Sequence, residues 1–291
     1  MNRGLARLAV FGMIGALALG LSSPTSAGDN PAGDDIQLGR AVYGRTCVVC
    51  HGPKGDGNGM MAHMFRFKPL DFRAGVFKFR STPLGALPTD EDLERTVAKG
   101  VRWTAMVGHP QLSLRERRAV VEYLKTFSPR FADEEAPPPI TVPPSPPVTP
   151  ALAKRGGTVF GRAGCAQCHG KQGRGDGPLA ENLKDRWGRP ITPPDLTWRP
   201  LKRGSDTRDI YLTIATGLDG TPMPSFAKVL EPEEIWALVA YLESIVEREH
   251  RPVDLDKPLN REESMGRMVI RMHGRMGGGM GGMMERMPMM K

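Results

Sequence analysis

The chain is written twice, and this repeat limits what it can fold into more than any other feature. Cys47-Val48-Val49-Cys50-His51 recurs 118 positions later as Cys165-Ala166-Gln167-Cys168-His169. The likeness spreads outward from those five residues. His51-Gly52 with Gly55, Asp56 and Gly57 is answered by His169-Gly170 with Gly173, Arg174 and Gly175. Upstream, Gly39 and Tyr43 keep the same four-residue step as Gly156 and Phe160. Downstream, Thr96-Val97-Ala98-Lys99-Gly100 and Met106 correspond to Thr213-Ile214-Ala215-Thr216-Gly217 and Met223 at an offset of 117, and Tyr123-Leu124 matches Tyr241-Leu242 at 118. Two homologous units follow, over residues 28–131 and 151–249.

The segments outside the repeat have distinct compositions. Arg3 and Arg7 precede an apolar run from Leu8 to Leu21, and small residues lead up to Ala27, so 1–27 is expected to be a secretory signal cleaved before Gly28. A run of 14 residues is shorter than the roughly 20 a spanning helix needs, which makes an uncleaved anchor the weaker alternative. The expected location is the periplasm. Residues 132–150 are rich in proline, from Pro137 to Pro150, and are expected to form a stiff polyproline II spacer. At about 3.1 Å per residue the Pro137 to Pro150 stretch reaches roughly 40 Å when extended, so the sequence leaves open whether the units dock or work apart. Residues 250–291 hold ten methionines between Met265 and Met290, with glycines and arginines and no helical period, and are expected to be a disordered tail.

Within each unit the apolar spacing is helical. Val42-Tyr43 and Val159-Phe160 fall on helices leading into the Cys motif, with a glycine on the same face that would let another helix approach closely. Thr89 with Asp92, and Asp206 with Asp209, have the pattern of an N-cap followed by an acidic third residue, opening helices that end near Gly100 and Gly217. The last helices are expected over about Ser113 to Phe127 and Glu231 to Glu247. Val120, Val121 and Leu124, or Ile235, Leu238, Val239 and Leu242, share one buried face there. No alternating strand pattern competes, so the class is all-α.

Composition leaves a gap that chemistry can fill. Aromatic residues are only 6% of the chain while Gly and Pro number 62, too little bulk for two ordinary cores. All four cysteines lie in the repeated motif, so none remains for a disulfide framework or a free nucleophile. Two thiols three positions apart sit on one helical turn, where they can add to the two vinyl groups of a haem, and the adjacent histidine is carried beneath the iron. Two covalently attached haem c groups, on Cys47 and Cys50 with His51 and on Cys165 and Cys168 with His169, would supply the missing apolar area. The alternatives are a zinc half-site or a redox dithiol; zinc would require the two Cys pairs to converge.

Each unit therefore resembles a class I cytochrome c domain, and the pair a periplasmic two-haem cytochrome c joined by a Pro-rich linker. The resemblance covers about two thirds of the chain. It implies that Gly39 and Tyr43 pack against Tyr123, and Gly156 and Phe160 against Tyr241. It also implies a methionine as sixth iron ligand, which assigns that role to Met106 and Met223. Pro222 and Pro224 would stiffen the loop around Met223. Beside Met106 a valine, Val107, stands where proline is often found, and His109, Met60, Met61 and Met64 are alternative ligands. Arg66, Arg73, Lys78, Arg80, Arg199, Lys202 and Arg203 are either propionate partners or members of solvated basic loops. Asp71 and Asp195 are expected to fix turns, and His63, His250 and His273 to lie at the surface.

A closed His/Met pair raises the reduction potential and leaves no open position for a substrate, so the expected function is single-electron transfer in a respiratory chain. A two-haem peroxidase or oxidoreductase with a weak sixth ligand is the enzymatic alternative. The chain carries a formal charge of +8, and 28–131 holds 16 basic against 11 acidic residues where 151–249 holds 14 against 13. Redox protein partners with acidic docking surfaces, a membrane-bound oxidase or reductase among them, are expected; nucleic acid is not. The methionine tail is a further candidate, for Cu(I) through soft thioethers.

Overall fold

The computed structural model describes residues 31–65 and 67–249. The signal and methionine-tail expectations lie outside them, as do Arg66, His250 and His273. The first unit runs α1 (Pro31–Thr46), α2 (Val48–His51), α3 (Asp90–Lys99), α4 (Leu114–Lys125) and a short α5 (Arg130–Asp133). The second runs α6 (Pro150–Arg162), α7 (Cys165–His169), α8 (Thr207–Thr216) and α9 (Pro232–Ser244). A two-residue parallel pair, β1 (Trp198–Arg199) with β2 (Arg248–Glu249), is the sole sheet among the described residues. The fold is all-α.

Each unit is built on one crossing of its first and last helices, α1 on α4 and α6 on α9. Glycine makes that crossing possible. A Cβ on Gly39 would stand 2.0 Å from the Ala119 carbonyl oxygen, and one on Gly156 would stand 1.9 Å from that of Ala237. One turn on, Tyr43 meets Tyr123 with ring centroids 5.4 Å apart and Phe160 meets Tyr241 at 5.2 Å. Around these crossings Val42, Phe77, Leu93, Val97, Val120 and Leu124 close one core, and Val159, Ile210, Ile214, Ile235, Leu238 and Leu242 the other.

The helix ends follow local chemistry. Ser113 and Glu116 form a reciprocal capping box on α4, as Thr89 and Asp92 do on α3. α3 and α8 stop at Gly100 and Gly217, whose φ of 68° and 66° fall in the left-handed half of conformational space that glycine enters without strain. Asp206 stands at the N-cap of α8 yet makes no capping bond with its side chain. The expectation for Asp209 fails as well, because its carboxylate is drawn to Arg95 of the other unit.

The proline segment is not a spacer. The Ile140 N–H donates to the Ser81 carbonyl in the first unit at 2.9 Å, while Ile140 and Val142 pack on the core of the second. Apolar side chains among the prolines give the segment something to bury, and burial overrides the tendency of a polyproline run to stand away in water.

The units meet at a charged seam. Arg80 is 0% exposed: it donates through Nη2 to the Thr216 carbonyl (2.9 Å) and pairs through Nη1 with Asp219 (3.3 Å). Arg203 donates back to the Arg80 carbonyl (2.8 Å) and stands 3.6 Å from Asp92 and 3.7 Å from Asp209. With the Arg95–Asp209 pair, three arginines face three aspartates. Burial pulls the Arg80 and Arg203 pKa down and pushes that of Asp209 up; the opposite charges across the seam oppose these shifts. A buried pair of this kind is costly to leave half-made.

Candidate functional site

The Cys motif leaves α1 and α6 through one tight turn and closes with the same backbone ladder in both units. The N–H of Gly57 donates to the His51 carbonyl (3.0 Å) and that of Gly175 to His169 (2.8 Å). Gly59 donates to Cys50 (3.1 Å) and Gly177 to Cys168 (3.2 Å). Gly52 and Gly170 share a φ of 77° and a ψ of 159°, which takes the chain sharply away after each histidine. A Cβ on Gly59 or Gly177 would fall 2.5 Å or less from the backbone of the Cys turn, so no other residue fits.

The histidines are prepared as metal donors. His51 is buried, its Nδ1 lies 3.3 Å from the Leu70 carbonyl, and Phe72 stacks on its ring at 4.5 Å. Holding Nδ1 on a carbonyl fixes the tautomer and leaves Nε2 bare for a metal. In the second unit His169 Nδ1 is buried without a well-aligned hydrogen bond; the Pro194 carbonyl is its weak acceptor and raises the ring's pKa against the effect of burial. Burial lowers the pKa of both rings, so both are neutral at pH 7, the state in which imidazole ligates.

The four thiols are free and half-buried. Burial, and then the neighbouring Cys50, push the Cys47 thiol up to about 11, and burial pushes Cys165 to about 11 as well. Such thiols are poor redox nucleophiles, which counts against a reactive dithiol. Among the described residues no three His, Cys, Asp or Glu side chains converge, so the two Cys pairs do not meet in a four-ligand zinc site. Paired thiols on one turn beside a neutral, oriented imidazole fit a covalently held haem.

The two methionine loops repeat each other bond for bond. Met106 N–H donates to Thr104 Oγ1 (3.1 Å) and Met223 N–H to Thr221 Oγ1 (3.2 Å). Val101 N–H donates to the Met106 carbonyl (2.8 Å) and Leu218 N–H to that of Met223 (3.2 Å). Both methionines are half-buried. Of the alternatives, Met60 and Met64 are 78% and 61% exposed while Met61 is half-buried; His63 is at the surface as expected. His109 contacts Gln111 through Nδ1 at 3.2 Å.

The basic residues separate by fate. Arg73 binds Asp71, which also caps the turn at Phe72, and Asp195 accepts from Thr197; both aspartates fix turns as expected. Arg199 is buried on the Leu196 and Leu242 carbonyls and pairs with Glu243. Lys202 lies 4.5 Å over the Phe67 ring. Arg80 and Arg203 are the correction: neither sits in a solvated loop, because each is used to join the units. Sequence comparison missed their kinship. They occupy matching places before Ser81 and Gly204, yet their offset is 123 while that of Asp92 and Asp209 is 117, and the changed offset hides the pair.

Comparison with known proteins agrees with this geometry. Residues 153–245 match the family described as Cytochrome c, and residues 34–124 the family described as Cytochrome C oxidase, cbb3-type, subunit III. No match was found among curated proteins. Among solved structures, a chain of the reducing HAO-like protein complex of Kuenenia stuttgartiensis is similar at 41% identity and a TM-score of 0.71, covering 72% of this chain and 96% of that one. Covalently bound haem c and haem-based electron transfer follow, and the chain belongs to the cytochrome c family as two such domains in tandem.

Proposed function

We propose that the chain is a two-haem carrier, exported to the periplasm, that exchanges single electrons between redox proteins of a respiratory chain. The observation that carries this is the equivalence of the two sites: each unit presents the same Cys turn, an imidazole with its Nδ1 turned inward and a threonine-held methionine. Cys47 and Cys50, and Cys165 and Cys168, hold one haem each. His51 and Met106 would ligate the iron in the first unit, and His169 and Met223 in the second. A covalently held haem supplies reversible one-electron chemistry when bound. The protein's part would be to hold the iron by these donors, exclude water and keep substrates from the metal.

The relative of known structure is part of a complex, which supports a role as an electron-transfer subunit docked on a larger redox partner. The excess of basic residues in 28–131 favours an acidic docking surface, an attraction that weakens as salt shortens the Debye length to about 8 Å at physiological strength. An optical redox titration tests the whole proposal. Two one-electron waves from low-spin haems, with pigment kept on the chain after acid-acetone extraction, are expected. The near-infrared sulfur-to-iron band should be lost from one haem in Met106→Ala and from the other in Met223→Ala. A high-spin haem with peroxide turnover would favour an enzyme instead.

A further inference from the structure

The seam reaches past the cores to the methionine loops. In the second unit the loop from Leu218 to Met223 is held by the first: Asp219 accepts from the Gly85 N–H (3.0 Å) and pairs with Arg80, and Arg80 also holds the Thr216 carbonyl at the foot of the loop. In the first unit the loop from Val101 to Met106 is held by the second. The Arg102 N–H donates to the Lys202 carbonyl (3.1 Å), and Trp103 Nε1 donates to the Pro200 carbonyl (2.6 Å). The contacts are reciprocal: residues 80–85 of one unit and 200–202 of the other clasp the loop across from them. Arg102 and Asp219, the residues clasped, are themselves repeat equivalents at an offset of 117.

Trp103 shows that this contact has been kept against a cost. Its φ is 61°, a left-handed conformation that a bulky side chain seldom adopts, and the equivalent position in the second unit is Gly220 at φ 73°. Strain of this kind persists only where the surroundings over-determine it. Here the surroundings are the neighbouring unit, through the Pro200 and Lys202 carbonyls.

We infer that each domain positions the axial methionine of the other, Arg80 and Gly85 acting on Met223 through Asp219, and Pro200 and Lys202 acting on Met106 through Trp103 and Arg102. These are positioning residues, and the inference rests on the proposal that the two methionines are ligands. Its consequence is a coupling of the two haem sites: a change in docking alters sulfur ligation, and with it the reduction potential, on the far side of the seam.

The experiment uses the full-length holoprotein, with the two ligand methyl groups resolved by NMR and amide exchange followed residue by residue. In Asp219→Ala, exchange at Leu218, Thr221 and Met223 is expected to rise about tenfold or more, with no such rise at Val101, Thr104 and Met106. The potential of the second haem is expected to fall. Loss of a negative charge alone would raise it, so the sign separates loosened ligation from simple electrostatics. Trp103→Phe, which alters a half-exposed ring and leaves the buried arginines intact, is expected to loosen the Met106 loop alone. A raised potential in Asp219→Ala with unchanged exchange, or Trp103→Phe with a wild-type Met106 methyl and exchange, would overturn the clasp. Met223→Ala tells the two failures apart: if it abolishes the second methyl signal while Asp219→Ala changes nothing, the ligand stands and the clasp falls. If it leaves the signal in place, both fall.

Discussion

The loops ending at Met106 and Met223 share a hydrogen-bond skeleton but hold their shape by different means. In the second, Pro222 and Pro224 bracket the methionine, and Gly220 takes the left-handed turn freely. In the first, Ala105 and Val107 replace the prolines and Trp103 takes the same turn under strain, tied down from the neighbouring unit. The lesson is that a repeat can conserve geometry while exchanging its source. Contact across the seam holds both loops; the second adds stiffness built into the chain, where the first relies on the Trp103 contact.

The sharpest way to break the comparison is to remove one cofactor site. Cys165→Ala with Cys168→Ala is expected to lower haem content from two per chain to one, measured by pyridine haemochrome, and to unfold the second unit, whose core is short of apolar area without the group. The mirror change at Cys47 and Cys50 should do the same to the first.

Next in size are the helix crossings, where the units are most alike. Gly39→Ala and Gly156→Ala each bring a Cβ to within 2.0 Å of a backbone oxygen, which nothing nearby can yield to. Each is expected to cost about 3 kcal/mol or more in denaturant unfolding. A loss of under 1 kcal/mol at either site would mean that the crossing there is looser than described.

A smaller effect isolates the turn that differs between the loops. Gly220→Ala meets its nearest neighbour at an ordinary 3.4 Å, so only backbone strain is at issue, and the expected loss is about 1 kcal/mol. Thermal unfolding would measure it.

The smallest effect concerns pH. Glu116 and Glu234 are repeat equivalents that cap α4 and α9 and pair with Arg45 and Arg162. Hydrogen bonds from Ser113, and from Arg162 and the Glu231 backbone, hold their pKa below the usual carboxylate range. A depressed pKa contributes stability above the ordinary carboxylate value, and that stability is lost as the pH falls through the folded pKa. Glu116→Gln with Glu234→Gln keeps the shape of both caps and cannot titrate, so its melting temperature is expected to fall less steeply on acidification than that of the parent. An identical slope would show that the caps carry none of the acid sensitivity.

The chain's own order of residues determined the two units, the helical class, the glycine-aromatic crossings and the two Cys-x-x-Cys-His turns, because each depends on contacts between neighbours in sequence or on a spacing that repeats. The docking could not be read in that way. Arg80, Arg203, Asp92, Asp209 and Asp219 are ordinary charged residues until folding places them opposite one another, and a proline stretch that looks rigid in isolation lies down once Ile140 and Val142 find a core to cover. Short-range preferences are written residue by residue. Pairings across more than a hundred residues, such as Arg80 with Thr216, exist only in the assembled molecule, where burial decides which charges must meet.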